Sequence, residues 1–423
     1  MNVDQYTHME EAWLLDENPF PADAIRKLGS NAQPYSAEVF QAEAQDFRRK
    51  FVRGALASSA RVGFLWSAGV RHDTGYGKTT LMQAMRDEVN DNLGANTLEA
   101  AGLKPERILP IAVALTNLNG LQVNGLYPVL HQAAVDLSVP NLPGRTPILD
   151  LARIRIVNDI GNDDAQQIAN AVQASWISMS PGGTPLRSDL LSAFATGGAA
   201  QTIMVLNGVS DAMRLRAGII FLDFALAVLG AAGIDKLILM IDQLEDLATN
   251  KSIPSSKRSR EIGRIRDLLE QAPYADRLKL VFTFHNRAAQ TLERFWESNR
   301  LPSFENVPAN ASSVVALTGL SDDDKAGTLL KTYLEVARTG KVEDDLLPFE
   351  PDAVSELRRW AEDRPGPFLS NAFKVFDYAA NANLPKITGE VVRRVSGGEV
   401  DSAVTANDDV EVGDQNVDDL LLG

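Results

Sequence analysis

The sequence predicts an α/β fold: a parallel sheet with helices on its faces, a helical insertion and a C-terminal helical lid. Three observations predict it. Short apolar runs that read as buried strands alternate with segments of helical periodicity, the pattern of a parallel sheet. A glycine-rich turn, Thr74-Gly75-Tyr76-Gly77-Lys78-Thr79-Thr80, joins the first of those strands to a helix. Beyond Leu320 the strand runs stop and only helical patterns follow.

Residues 1–37 form a lead-in centred on the turn-rich Asn18-Pro19-Phe20-Pro21. From Ala37 to Ala57 an amphipathic helix is expected, with Val39, Phe40, Phe47, Phe51 and Leu56 on its apolar side. Val62-Gly63-Phe64-Leu65-Trp66 is the first strand, and a helix follows from Thr79 to about Asn92. Ile108 to Leu115 reads as a second buried strand, with Pro110 giving it an irregular start. Residues 119–200 are mostly helical, broken by loops at Pro140–Gly144 and Ser180–Gly183. So long a connection between core strands reads as an inserted helical subdomain.

Lys236 to Asp242 is a continuous apolar strand ending in an acid, and Leu278 to Phe284 is another buried strand. Helices are predicted at Asp322–Arg338, Pro351–Glu362 and Phe368–Asn381. The expected organisation is a core over residues 38–320, a lid over 321–395 and an acidic tail over 396–423. The tail lacks strong periodicity and is expected to be disordered, ending in the small apolar tip Leu420-Leu421-Leu422.

Composition narrows the chemistry. Apolar residues make up 45% of the chain, enough for a sizeable core. With no cysteine there is no disulfide and no cysteine-ligated zinc or iron–sulfur site, which fits a cytoplasmic protein. A net charge of −15 argues against nucleic-acid binding by the whole surface. A local basic patch remains, made of Lys251, Lys257, Arg258, Arg260, Arg264 and Arg266. Ala217 to Ile234 is apolar but carries Asp223 and runs straight into a strand, so a buried helix is expected rather than a membrane span. His8 and His131 have no ligand spacing with other residues, and no transition-metal site is assigned.

The glycine-rich turn has the strand, loop and helix context of a phosphate-binding P-loop. Gly75 and Gly77 let backbone N–H groups turn inward around a phosphate, and the helix N-terminus adds donors and a favourable dipole. Lys78 is placed to reach the β- and γ-phosphates, and the Thr79 hydroxyl to ligate Mg2+. Tyr76 and Thr80 complete the cradle. The full pattern calls for glycine where His72 stands; the glycine comes earlier, at Gly69, so the loop mouth is reshaped. This motif implies a nucleoside triphosphate. Asp242 is the expected second ligand of Mg2+, delivered beside the metal by its strand. In Gln243-Leu244-Glu245-Asp246-Leu247, Glu245 is the first candidate to activate water and Gln243 the second; the acids alternatively just open a helix.

Gly75-Tyr76-Gly77-Lys78-Thr79-Thr80 followed by Ile238-Leu239-Met240-Ile241-Asp242-Gln243-Leu244-Glu245-Asp246-Leu247 resembles the AAA+ and STAND branches of P-loop ATPases. Where AAA+ proteins carry an Asp-Glu pair, this chain has Gln243 after Asp242. The resemblance implies a parallel-sheet P-loop NTPase core with bound ATP and Mg2+. It implies a γ-phosphate sensor in Thr283-Phe284-His285-Asn286, with Asn286 first and His285 and Thr283 behind it; a polar strand end is the alternative. It also places Arg364 where a lid arginine reaches the nucleotide, against a plain surface arginine. Arg258, Arg260 and Arg264 read as a solvated helix face, as a finger for a neighbouring subunit's nucleotide, or as DNA contacts. Asn18-Pro19-Phe20 is similar to a lead-in that packs near the adenine, or is a turn anchoring aromatics in the core. The implied role is an ATP-driven switch that assembles with itself or a partner effector protein, in prokaryotic anti-phage defence, mobile-element control or DNA transactions. The alternatives are a non-hydrolysing nucleotide-bound scaffold and a DNA-stimulated motor.

Overall fold

Five parallel strands carry the architecture: β1 (Val62–Ser67), β2 (Ile111–Asn117), β3 (Lys236–Asp242), β4 (Leu278–Phe284) and β5 (Val314–Leu317). They form one sheet in the order β2-β3-β4-β1-β5, with every pairing parallel. The α/β class expected from the sequence is the one observed. The computed structural model describes residues 3–22, 38–55, 62–67, 75–100, 102, 111–117, 125–140, 144–242, 244, 253–284, 294–299 and 313–397.

Among the described residues, α1 (Val3–Trp13) and α2 (Gln41–Phe47) lie before the sheet. The second runs on through a π-helical turn, Arg48–Val52, to Ala55. After β1 come α3 (Lys78–Asn90) and α4 (Ala95–Ala100). Between β2 and β3 lie α5 (Leu126–Leu137), α6 (Ile148–Ile160), α7 (Ala165–Met179), α8 (Ser188–Asn207), α9 (Asp211–Ala217) and α10 (Ile219–Ala231). Between β3 and β4 are α11 (Ser255–Glu270) and the short α12 (Tyr274–Arg277). The C-terminal helices are α13 (Asp323–Val336), α14 (Pro351–Trp360), α15 (Pro365–Asn381) and α16 (Gly389–Ser396).

Successive residues of a strand face opposite sides of the sheet. Leu237, Leu239 and Ile241 of β3, with Leu278, Leu280 and Phe282 of β4, face one side. The helices between β2 and β3 cover that side with Leu130, Leu149, Val172, Phe194, Phe221 and Phe224. Ile238, Met240, Val281 and Leu65 face the other side, where α2 supplies Phe47, the π-helical turn Phe51, and α3 Leu81 and Met85. Both faces of β3 and β4 are thus covered, which is why their sequences are mostly apolar rather than alternating.

Several boundaries differ from expectation. α8 crosses residue 200, and the chain stays helical through α9 and α10 to Ala231. α10 is the buried helix expected near residues 217–234, with every residue from Phe221 to Leu229 buried. α15 starts at Pro365 rather than Phe368, because proline suits a first helical turn, where no N–H partner is needed. α16 was not anticipated; the Thr388 side chain accepts from the Val391 N–H and caps it. One described helix, Ser188–Asn207, is long and apolar enough by composition to cross a membrane. It is broken by non-helical Gly197 and Gly198, and 44% of its apolar window is buried.

The N-terminal lead-in and the C-terminal helices share one core. The Trp13 ring meets Phe376 edge-on at 4.8 Å, and its Nε1–H donates to the Pro385 carbonyl at 3.1 Å. Phe20 packs on Tyr333, Phe349 and Phe376, so this aromatic anchors the C-terminal helices. Of the predicted tail, Ser396 closes α16 and Gly397 follows it, while residues 398–423, including Leu420 to Leu422, lie outside the described residues.

Candidate nucleotide-binding site

The carboxyl ends of parallel strands form the edge where such sheets bind ligands. β1 points there, and the turn leading from it enters α3. Gly75 and Gly77 have φ of +83° and +84°, the left-handed region open to glycine without strain. Space demands glycine as well. A Cβ on Gly75 would lie 2.6 Å from Pro367 Cδ, and one on Gly77 would lie 3.0 Å from the Phe40 ring. Gly77 is the N-cap of α3, and its carbonyl accepts from the Leu81 N–H at 2.8 Å. Lys78, Thr79 and Thr80 therefore form the first turn. Gly77 has no side chain to cap this end, and among the described residues none other caps it, the condition in which its N–H groups and dipole favour an anion. Tyr76 and Lys78 are both buried, each 8% exposed. Residues 68–74, including His72 and Thr74, lie outside the described residues.

Asp242 ends β3, with β4 between it and β1. The Thr79 hydroxyl donates to its Oδ2 at 2.7 Å, and the Thr283 hydroxyl of β4 donates to its Oδ1 at 2.5 Å. Asp242 is 4% exposed and Thr283 is fully buried. A carboxylate and a hydroxyl side by side are hard oxygen donors and fit Mg2+, with phosphate oxygens and water to complete the shell. The sequence placed Thr283 behind Asn286 as a phosphate sensor; its hydroxyl is instead turned to Asp242.

The C-terminal helices meet the P-loop directly. The Gly366 N–H of α15 donates to the Gly75 carbonyl at 2.8 Å. The Leu320 N–H donates to the Asp363 carbonyl, and Gly319, at φ +76°, leaves no room for a Cβ between Asp363 and the Tyr76 ring. Arg364 is the N-cap of α15, half-buried, and its Nε–H donates to the Ala361 carbonyl at 3.3 Å. It stands beside the contact with Gly75, with its side chain held at its own turn.

Glu43 was missed by the sequence reading. It is 5% exposed on α2, accepts from the Thr318 hydroxyl at 3.2 Å and lies 3.5 Å from Lys325 Nζ. It thereby joins α2 to the end of β5 and to α13. A signal existed: Glu43 falls three residues after Phe40 and four before Phe47, a carboxylate on the apolar face of its helix.

Arg258 and Arg260 lie on α11, and two other charged residues of this helix, Glu261 and Arg264, reach α5. Glu261, 1% exposed, accepts from the Leu126 N–H at 2.8 Å and so caps α5. Arg264 donates to both Glu261 oxygens, at 3.0 and 2.9 Å, and its guanidinium sits 3.9 Å from the Tyr127 ring centre. Arg260 is 61% exposed, 3.5 Å from Glu261. Arg266 pairs with Glu270. Gln243, Glu245, Lys251, His285 and Asn286 lie outside the described residues.

No protein-family model matches the chain, and no curated protein matches it. Among solved structures the chain is similar to the ORC2 protein of Aeropyrum pernix in ADPNP–ADP complexes. The identity is 13%, over 87% of this chain and 70% of that one, with a TM-score of 0.45. The ADP form of the same protein gives 14% identity, the same coverages and a TM-score of 0.45.

Proposed function

We propose that the chain binds ATP and hydrolyses it as a molecular switch. The observation that carries this reading is the hydrogen bond from Thr79 to Asp242, 2.7 Å long and spanning 163 residues of sequence. It brings the two sequence motifs together at the carboxyl edge of the sheet, at the N-terminus of α3. In this reading Lys78 and the N–H groups of the first turn of α3 bind the phosphates. Thr79 and Asp242 would hold Mg2+, which when bound would neutralise phosphate charge. Glu245, or else Gln243, orients water, and Asn286 senses the γ-phosphate. Arg364 approaches from the lid, and Arg258 or Arg260 from a neighbouring copy.

Support for a switch comes from Gly75. Its carbonyl accepts from the Gly366 N–H, so the phosphate loop is bonded directly to the first turn of α15. A phosphate that reshapes the loop therefore acts on the C-terminal helices without an intermediary. Self-association and a partner effector protein are the proposed outputs, in the cytoplasm of a prokaryote, in anti-phage defence or mobile-element and DNA transactions. That setting rests on resemblance.

The test is phosphate release from ATP together with light-scattering mass, for the native chain, Lys78→Ala and Glu245→Gln, with and without double-stranded DNA. Turnover lost in both variants, with an ATP-dependent mass change kept in Glu245→Gln, supports the switch. Bound nucleotide without turnover in the native chain replaces it with a scaffold. Turnover that rises with DNA replaces it with a motor.

A further inference from the structure

We infer that Thr283 is a positioning residue for the metal-binding carboxylate, an inference that rests on the proposed nucleotide site. Thr283 holds the end of β3 twice. Its hydroxyl donates to Asp242 Oδ1 at 2.5 Å, and its carbonyl accepts from the Leu244 N–H at 3.3 Å. One residue of β4 thus fixes both the side chain that ends β3 and the backbone just before Glu245.

The geometry separates the two carboxylate oxygens. Oδ1 is turned to β4 and engaged by a fully buried hydroxyl. Oδ2 is turned to the P-loop, where Thr79 meets it. A carboxylate free to rotate presents either oxygen, and binding a cation must then freeze it. Here the Thr283 hydroxyl sets the rotation beforehand and leaves Oδ2 toward the phosphate side. A donor behind a ligating carboxylate fixes its orientation, and removing such a donor weakens metal binding. The bond is charge-assisted, hence stronger than a neutral one. Strand order explains why a β4 residue does this: β4 lies between β1 and β3, so its carboxyl end sits between the P-loop and Asp242.

The test uses the full chain with Thr283→Val, Thr283→Ala and Thr283→Ser. Valine keeps the β-branched shape suited to a strand and removes the donor. Two quantities are read: ADP affinity in EDTA, and Mn2+ affinity of the ADP complex by electron paramagnetic resonance. The expected result is ADP affinity in EDTA within about twofold of native in all three. Mn2+ affinity falls about 10- to 100-fold in Val and Ala, and stays within about threefold in Ser. Mn2+ affinity at the native level in Val or Ala overturns the inference, as does equal weakening in Ser and Val, which marks packing as the cause. Should Val fold poorly, Ala and Ser carry the same comparison. A native chain that binds no ADP at all removes the nucleotide site and this inference with it; native binding with unaltered Mn2+ affinity in the donor-free variants removes the Thr283 role alone.

Discussion

The Gly366 N–H donates to the Gly75 carbonyl at 2.8 Å, tying the first turn of a C-terminal helix to the phosphate loop. The contact is close because neither partner has a side chain to hold them apart. Gly75→Ala attacks it twice: φ is +83°, and the new methyl would stand 2.6 Å from Pro367 Cδ. The left-handed conformation alone costs a non-glycine residue about 1–2 kcal/mol. The expected outcome is a loss of about 2–3 kcal/mol in urea unfolding. ADP affinity should fall alongside, with faster proteolysis near Gly366. Native ADP affinity in a folded Gly75→Ala chain would show that loop and helix are not coupled.

Glu43 makes a second tie, from α2 to the end of β5 and to α13. Removing it leaves the Thr318 hydroxyl without this acceptor and Lys325 without its nearest carboxylate. Glu43→Ala is expected to cost about 1–3 kcal/mol. Amide hydrogen exchange should speed up most at Thr318 to Lys325. Glu43→Gln keeps an acceptor and should lose less. Uniform exchange changes across the sheet, with none concentrated at Thr318 to Lys325, would argue against this assignment.

The strands β3 and β4 were legible because buried parallel strands are unbroken apolar runs, and Asp242 ends one of them. The P-loop was legible because its residues are contiguous. The roles of Thr283 and Glu43 were not, since each is defined by partners far away in sequence: Asp242 for the first, Thr318 and Lys325 for the second. A polar residue in an apolar run signals that a partner exists without naming it. Lys279 illustrates the limit: it is 1% exposed within β4, burial lowers its pKa to about 8, and its ammonium lies 5.5 Å from the Phe51 ring. The helix starts at Pro365 and Gly389 rest on a first-turn proline and on the Thr388 cap, which periodicity does not register.

The basic patch divides into two kinds of arginine, and substitution should tell them apart. Arg264→Ala strands Glu261, which is 1% exposed, with the Leu126 N–H as its closest remaining donor among the described contacts. A cost of about 2–3 kcal/mol is expected, below the full cost of orphaning a buried charge because Arg264 is itself 23% exposed. Arg260 is 61% exposed at 3.5 Å, so Arg260→Ala should change stability by no more than about 0.5 kcal/mol. Urea unfolding measures both. Turnover lost in Arg260→Ala at unchanged stability would support a finger acting on a neighbouring copy.

A buried carboxyl away from the nucleotide site should make stability depend on pH. Asp223 of α10 is 6% exposed, and its Oδ1 accepts from the Tyr274 hydroxyl at 2.6 Å. Burial pushes its pKa up from 3.8 to about 6, with the Tyr274 hydrogen bond opposing the rise. The Tyr274 hydroxyl is itself held above its usual range, by burial first and then by Asp223 and Tyr127. A carboxyl whose pKa is raised on folding binds its proton more tightly in the folded state. Its contribution to stability is complete below about pH 4 and is lost as pH rises through about 6. A tenfold difference in proton affinity is worth about 1.4 kcal/mol, so ionising this one carboxylate costs about 2–3 kcal/mol at neutral pH. Asp223→Asn keeps an oxygen to accept from Tyr274 and cannot ionise. Its new amide N–H groups must find partners, which offsets part of the gain. The variant should be more stable than the native chain by about 1–2 kcal/mol at pH 8, with the difference vanishing near pH 4.5. Urea unfolding at intervals between those pH values measures it. A difference that does not vary with pH would mean that the ionised carboxylate is not the source of the cost.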